Sequence, residues 1–148
     1  MTMKRSRIKV ASYGFAVWGG LSALMILPAH AQLVAIVNKT VHISHSEVVR
    51  IYRSEMNGYK PFMLGDKAAQ DDFDRHYLGL ARDDLKYLQD RALYAGRSLP
   101  PKIVDSVDQM LDAVANTPNG VGYVPLQNVT EQVRIVPENQ DGSGNTWR

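Results

Sequence analysis

Serine and histidine occur side by side in the segment Ser44-His45-Ser46, and these are the residue types that nucleophilic catalysis uses. A serine is activated when a histidine takes its proton, so the two side chains must face each other. Adjacent residues at the start of a helix do not face each other, and the sequence contains no G-x-S-x-G motif. Ser44 and Glu47 instead have the S-x-x-E spacing of a capping box. We therefore predict a helix start at this position and a protein that is not an enzyme.

Metal binding is the second chemistry that the residue types suggest. His42 and His45 are close in sequence, but the chain has no cysteine, no H-E-x-x-H motif and no third ligand at a useful spacing. Asp71, Asp72 and Asp74 do not form a calcium loop, because its central glycine and terminal glutamate are missing. We predict that these aspartates form the solvated face of a helix, and that the protein holds no metal and no cofactor.

The first 31 residues are organised like a secretory signal peptide. An uncharged, apolar run extends from Tyr13 to Leu27, and Ala29-His30-Ala31 is a small-residue cleavage site. A single membrane anchor is the alternative, but the run is shorter than the ~20 residues that span a bilayer and it ends at the helix breaker Pro28. We predict a signal peptide over 1–31, with cleavage before Gln32. Its basic beginning consists of Lys4, Arg5, Arg7 and Lys9.

Cleavage leaves 117 of the 148 residues, which is enough for one domain with a core and too few for two lobes of ordinary size. This part has 13 Lys and Arg against 15 Asp and Glu, so its net charge does not indicate nucleic-acid binding. Without cysteine, an exported chain must be stabilised by its core instead of by disulfides. A lipoprotein would need cysteine where this chain has Gln32, so we predict a periplasmic location.

Apolar runs and capping residues predict an alternation of strands and helices. The run Leu33–Val37 has the β-branched composition of a central strand, and Asp66 is a helix cap that directly follows a short apolar segment. A later helix has Asp105 or Ser106 as its cap and ends before Pro118. The pattern predicts strands over 33–37, 60–64, 121–124 and 133–136, and helices after Ser44, over about 67–77 and 82–94, and between about 106 and 117.

This order of elements favours a single α/β lobe. We expect a mixed sheet of about four or five short strands, with helices packed on both of its faces. The predicted domain covers 32–136. The last residues, 137–148, are polar, contain glycine and lack periodicity, and these features predict a disordered tail.

Four segments of the chain resemble those of the periplasmic-binding-protein-like family, in particular its small single-domain members labelled phosphate transporter substrate-binding proteins. The segments are VAIVN after the signal peptide, the helix from Ser44 to Arg53, the loop from Gly96 to Pro101, and VANTPNGVGYVP from Val114 to Pro125. The last one stands beside the family sequence VAxTPGAIGYVP. The resemblance implies one lobe of a type II periplasmic-binding-protein-like fold and an exported solute-binding protein.

The resemblance also implies a site for phosphate or another small anion where strands give way to loops and helices. Open α/β sheets bind ligands at the C-terminal ends of their strands, and two predicted loops directly follow strands. Arg97 either reaches an anion or complements the C-terminus of the preceding helix. The candidate ligand residues are Asn38, Lys39, Thr40, Gly65, Asp66, Lys67, Ala68 and Arg97.

The resemblance makes a membrane transporter or a sensor protein the expected partner. An alternative is a periplasmic protein–protein interaction module that has lost solute binding. Two features favour this alternative: the loop from Gly65 to Ala68 has no hydroxyl side chain, and the chain is long enough for only one lobe. The sequence does not determine the oligomeric state.

Overall fold

The structure, a computed structural model, describes residues 32–138. The expected signal peptide and nearly all of the expected disordered tail lie outside these residues. Within the described part, no helix is both long and apolar enough to cross a membrane.

Five strands and four α-helices make up the described chain. Three of the strands are central and two are three-residue edge strands. The α-helix that starts after Asp66 continues without a break into a π-helical segment, Phe73–Leu78. In chain order, the elements are β1 Leu33–Asn38, α1 His45–Tyr52, β2 Lys60–Leu64, α2 Lys67–Asp72 with its π-helical continuation, α3 Arg82–Tyr94, β3 Lys102–Val104, α4 Val107–Asn116, β4 Gly120–Pro125, and β5 Val133–Ile135 after one 3-10 turn.

The strands form one mixed sheet in the order β3-β2-β4-β1-β5. β2 runs parallel to both β3 and β4, whereas β1 is antiparallel to β4 and to β5. The C-terminal ends of β2, β3 and β4 therefore lie at one end of the sheet, and the C-terminal end of β1 lies at the other. The mixed α/β fold expected from the sequence is confirmed.

Helices cover both faces of the sheet, as adjacent residues of β4 show. A Cβ atom on Gly122 would lie 2.9 Å from Val114 Cγ2 and even closer to Met110 Sδ, so this face lies directly against α4. Tyr123 points to the opposite face, because side chains alternate along a strand. There its ring stacks on Phe73 of the π-helical segment.

Local signals in the sequence account for most element boundaries. The capping box is confirmed: the Glu47 N–H donates to Ser44 Oγ over 3.3 Å, and the Ser44 N–H donates to Glu47 Oε2 over 2.8 Å. Ser106, not Asp105, caps α4 through the Gln109 N–H. The strand β3 was missed, because it is only three residues long and mostly exposed.

Candidate functional site

The residues from Gly65 to Ala68 lie where β2 ends and α2 begins. The Gly65 N–H donates to the carbonyl of Val104, the last residue of β3, over 2.8 Å. Asp66 Oδ1 accepts the Ala68 N–H over 2.9 Å, which confirms Asp66 as the helix cap. All four residues are exposed. The helix start therefore faces solvent at the end of the sheet where the parallel strands terminate.

The other predicted loop, from Asn38 to Thr40, lies at the opposite end of the sheet. β1 is antiparallel to β4, so Asn38 lies beside the beginning of β4, where Gly120 is paired with Lys60 of β2. Leu64 is four residues further along β2 than Lys60, a distance of roughly 13 Å along the strand. The structure therefore does not bring the two predicted loops together, and no small anion can contact both.

The Asn38 side chain is engaged within the fold. Its Nδ2 donates to the carbonyls of Val114, Ala115 and Thr117 over 3.0 to 3.2 Å, which satisfies the C-terminal end of α4. Its Oδ1 accepts from the backbone N–H and the hydroxyl of Thr40. These contacts give Asn38 and Thr40 a structural role.

Arg97 follows the C-terminus of α3. Gly96 adopts a left-handed φ of 68°, and the Arg97 N–H donates to the carbonyl of Ala92 over 2.9 Å, so the helix closes in a Schellman motif. The exposed Arg97 borders a cavity of about 730 Å³ together with Lys60 and Lys102. This cavity is next to the beginning of β2, away from the helix start at Gly65.

The expectation that Asp74 is solvated is wrong, although its neighbour Asp71 is exposed as expected. Asp74 is 1 % exposed, and its Oδ2 pairs with Arg82 Nη2 over 2.5 Å. The π-helical segment buries Phe73, Asp74, Tyr77 and Leu78 together. A π-helix has more residues per turn than an α-helix. The 3.6-residue period of an α-helix therefore does not predict that Asp74 is buried.

Aromatic side chains pack beneath this ion pair. The ring of Phe73 lies between Tyr123, at a centroid distance of 4.0 Å, and Tyr77, at 4.9 Å. The Tyr123 hydroxyl accepts the N–H of Leu64, the last residue of β2, over 3.1 Å. This cluster holds the π-helical segment against the end of the sheet at which α2 begins.

The charges of three side chains affect the pKa of the Tyr123 hydroxyl. Burial raises the pKa of Tyr123, the hydrogen bond from Leu64 lowers it, the charges of Asp74 and Asp66 raise it, and the charge of Arg82 lowers it. The ion pair and the capping carboxylate therefore both influence the pKa of the Tyr123 hydroxyl. Among the described residues, no hydrogen-bond partner is found for the buried Nε atom of Arg82. The Arg82 side chain is still 27 % exposed, and the exposed part of a guanidinium can bind an oxygen anion.

Burial also raises the pKa of the Asp74 carboxyl, and this effect outweighs the lowering by the charge and hydrogen bond of Arg82. The folded protein therefore holds this proton more tightly than the unfolded chain. The contribution of Asp74 to stability is greatest below its ordinary pKa of 3.8 and declines as the pH rises through the raised value.

We expect the unfolding free energy of the wild type, minus that of Asp74→Asn, to fall from about pH 4 upward and then to level off. Urea denaturation of both proteins over a pH series measures this difference, and the subtraction cancels the titration of the other groups. A difference that rises with pH would mean that Arg82 outweighs burial and lowers the pKa of Asp74.

No cluster of three or more histidine, cysteine, aspartate or glutamate side chains suited to a metal ion occurs within residues 32–138.

Three solved structures are similar to the described chain at low sequence identity. An ABC-type phosphate transport receptor from Vibrio cholerae matches with a TM-score of 0.56 and 13 % identity, over 74 % of this chain and 47 % of that chain. A putative phosphate ABC transporter substrate-binding protein from Clostridium perfringens, with bound phosphate, matches at 0.55 and 13 %, over 72 % and 44 %. PstS from Borrelia burgdorferi matches at 0.52 and 16 %, over 74 % and 48 %. No protein-family model and no curated protein sequence matches the chain.

These similarities, together with the sheet, define the fold class. The chain has the fold of a single lobe of a type II periplasmic-binding-protein-like protein, as expected from the sequence. The chain spans slightly less than half the length of each of these three proteins.

Proposed function

We propose that the protein is an exported, non-enzymatic solute-binding protein that binds a small oxyanion such as phosphate at the end of the sheet where β2 meets α2. The observation that carries this proposal is the Arg82 guanidinium, which is paired with Asp74 and belongs to a side chain that remains 27 % exposed. The Asp74 carboxylate orients the guanidinium, so little conformational freedom is lost when an anion binds. The phosphate transport proteins of the same fold support this choice of ligand.

The helix start at Asp66 favours a particular kind of anion. Asp66 places a carboxylate there, and its Oδ1 already accepts the Ala68 N–H. A fully ionised oxyanion is repelled by this carboxylate, whereas an oxyanion that retains a proton can donate it to Asp66 in a hydrogen bond. Phosphate retains a proton at neutral pH and sulfate does not. The site therefore selects phosphate over sulfate.

A single lobe covers one side of such a ligand and leaves the other side to water. Solvent lowers the strength of each charge interaction, so we expect weak binding by the protein alone. Tighter binding requires a surface that covers the ligand, and a membrane transporter or a second copy of the chain would supply it.

Thermal unfolding with and without millimolar phosphate, sulfate and other small anions tests the proposal. An anion present at about 100 times its dissociation constant stabilises the folded state by about 2.7 kcal/mol, which moves the midpoint by several degrees. We expect phosphate to raise the midpoint more than sulfate does. No shift with any anion would contradict the proposed binding function.

Two variants test where the anion binds, and a third variant is a matched control. Arg82→Lys keeps the charge opposite Asp74 but removes the Nε–H and the planar fork, and Lys67→Ala removes the cation at the helix start. Both are expected to reduce the phosphate-dependent shift. Lys39→Ala removes an exposed lysine at the opposite end of the sheet and is expected to leave the shift unchanged.

A second candidate function is a periplasmic protein–protein interaction module. The observation that favours it is a set of exposed apolar side chains on α3, the loop after it and β3, with Tyr94 89 % exposed and Leu99 78 % exposed. This function predicts that no anion raises the unfolding midpoint and that a partner co-purifies with the wild type but not with Tyr94→Ser and Leu99→Ser variants.

A further inference from the structure

The cavity beside Arg97 lies in a gap at the edge of the sheet. β3 first pairs with β2 at Lys102 and Phe62, so Lys60 and Pro61 are paired with β4 but have no neighbour from β3. The chain between Gly96 and Pro100 bends away from β2 and forms the outer wall of the gap. The resulting volume, about 730 Å³, falls in the range of pockets that enclose small molecules.

Three cations border this cavity, and no aspartate or glutamate does. Lys60, Arg97 and Lys102 all lie in its lining, and none of them forms an ion pair with another residue between 32 and 138. Their positive charges repel one another, and a bound anion would relieve this repulsion. Charge complementarity therefore calls for a negatively charged occupant.

Most of the remaining wall is apolar. Its apolar lining residues include Tyr59 and Phe62 from around the start of β2, and Leu93, Leu99 and Pro100 from the end of α3 and the loop after it. Leu99 is 78 % exposed, and its burial by a ligand would be favourable by the hydrophobic effect. A small inorganic anion would leave these surfaces in contact with water, so the occupant needs an apolar body as well as a charge.

The strand edge in the gap is not suited to an added peptide strand. Pro61 has no N–H group, so the edge of β2 cannot offer the regular alternation of donors and acceptors that strand addition requires. A compact molecule needs no such alternation.

We propose that this cavity is a binding site for a small amphipathic carboxylate, with the carboxylate held by Arg97 and Lys102 and the hydrocarbon part lying between Phe62 and Leu99. Lys60 adds to the positive field at the cavity. The site is distinct from the proposed oxyanion site, because it lies beside the beginning of β2 instead of its end.

Calorimetric titration of the full protein with octanoate, and with octanamide as its uncharged analogue, tests the site. We expect octanoate to bind and octanamide to bind at least roughly tenfold more weakly, because the neutral amide cannot form an ion pair with Arg97 and Lys102. The double variant Arg97→Ala/Lys102→Ala should weaken octanoate binding by roughly tenfold or more. Arg134→Ala removes an exposed arginine of β5 outside the cavity and should leave the affinity unchanged.

Equal affinity for the acid and the amide would overturn the proposal, and so would an unchanged affinity in the double variant. An acidic peptide alternating glutamate and leucine serves as a further probe. If it binds and octanoate does not, the cavity is a docking site for a partner protein and the carboxylate proposal fails. Octanoate binding that persists in Arg82→Lys, where the phosphate-dependent shift is reduced, would show that the two sites are independent.

Discussion

Replacing Phe73 by alanine is expected to lower the free energy of unfolding by about 3 to 5 kcal/mol. Phe73 is 1 % exposed and packs against three other aromatic rings: it stacks on Tyr123 and Tyr77 and meets Tyr52 edge-on at a centroid distance of 5.3 Å. Truncation removes these contacts and leaves a cavity that the surrounding rigid rings cannot fill by small movements. The lost free energy should come mainly from the contacts that hold the π-helical segment against the sheet.

Urea denaturation measures this loss, and the thermal midpoint should fall by more than roughly 10 °C in a domain of this size. Tyr94→Ala is the matched control, because it truncates an aromatic ring of α3 that is 89 % exposed. It should change the stability by less than about 0.5 kcal/mol. If Phe73→Ala cost less than about 1 kcal/mol, the aromatic cluster would not be the contact that holds the segment in place.

Replacing Arg82 by methionine is expected to cost about 3 kcal/mol at pH 7. The substitution keeps a long side chain in place, but it leaves the buried Asp74 carboxyl without its cation. A buried carboxylate without a partner is strongly disfavoured, so Asp74 must take up a proton before the variant can fold. Asp74→Asn should cost less, because the Arg82 side chain is 27 % exposed and its charge is partly solvated.

The pH dependence and a double variant separate the charge effect from lost packing. The cost of Arg82→Met should shrink as the pH is lowered towards 4, where the Asp74 carboxyl accepts a proton more readily. Arg82→Met/Asp74→Asn should recover more than half of the lost stability at pH 7, because neither buried charge remains. A cost that is independent of pH and undiminished in the double variant would assign the effect to packing alone.

Most boundaries of the elements could be predicted from the sequence, because they depend on residues close together in the chain. Ser44 with Glu47 marks the start of α1, Asp66 the start of α2 and Gly96 the end of α3, and each acts on backbone groups a few residues away. The apolar run after Gln32 also predicted the strand β1, and its residues Val34–Val37 are buried on both faces of the sheet.

The direction of each strand in the sheet could not be predicted from residues close together in the chain. The loops after β1 and β2 look equivalent in sequence, because each follows an apolar strand. Antiparallel pairing of β1 with β4 sends the Asn38 loop to one end of the sheet, while parallel pairing of β2 with β4 sends Gly65 to the other. Pairing depends on contacts between residues far apart in the chain, and no local pattern records it.

The burial of Asp74 and its pairing with Arg82 also depended on the tertiary structure. Asp74 stands among other aspartates, where a solvated helix face is the natural interpretation of the sequence. It becomes buried because Phe73 stacks on Tyr123, 50 residues further along the chain, while Tyr77 stacks on Phe73. The π-helical turn brings Asp74, which lies between Phe73 and Tyr77 in sequence, inward with them. Local propensity thus determined which segments are helices and strands, whereas long-range packing decided which charged groups lie together at the candidate site.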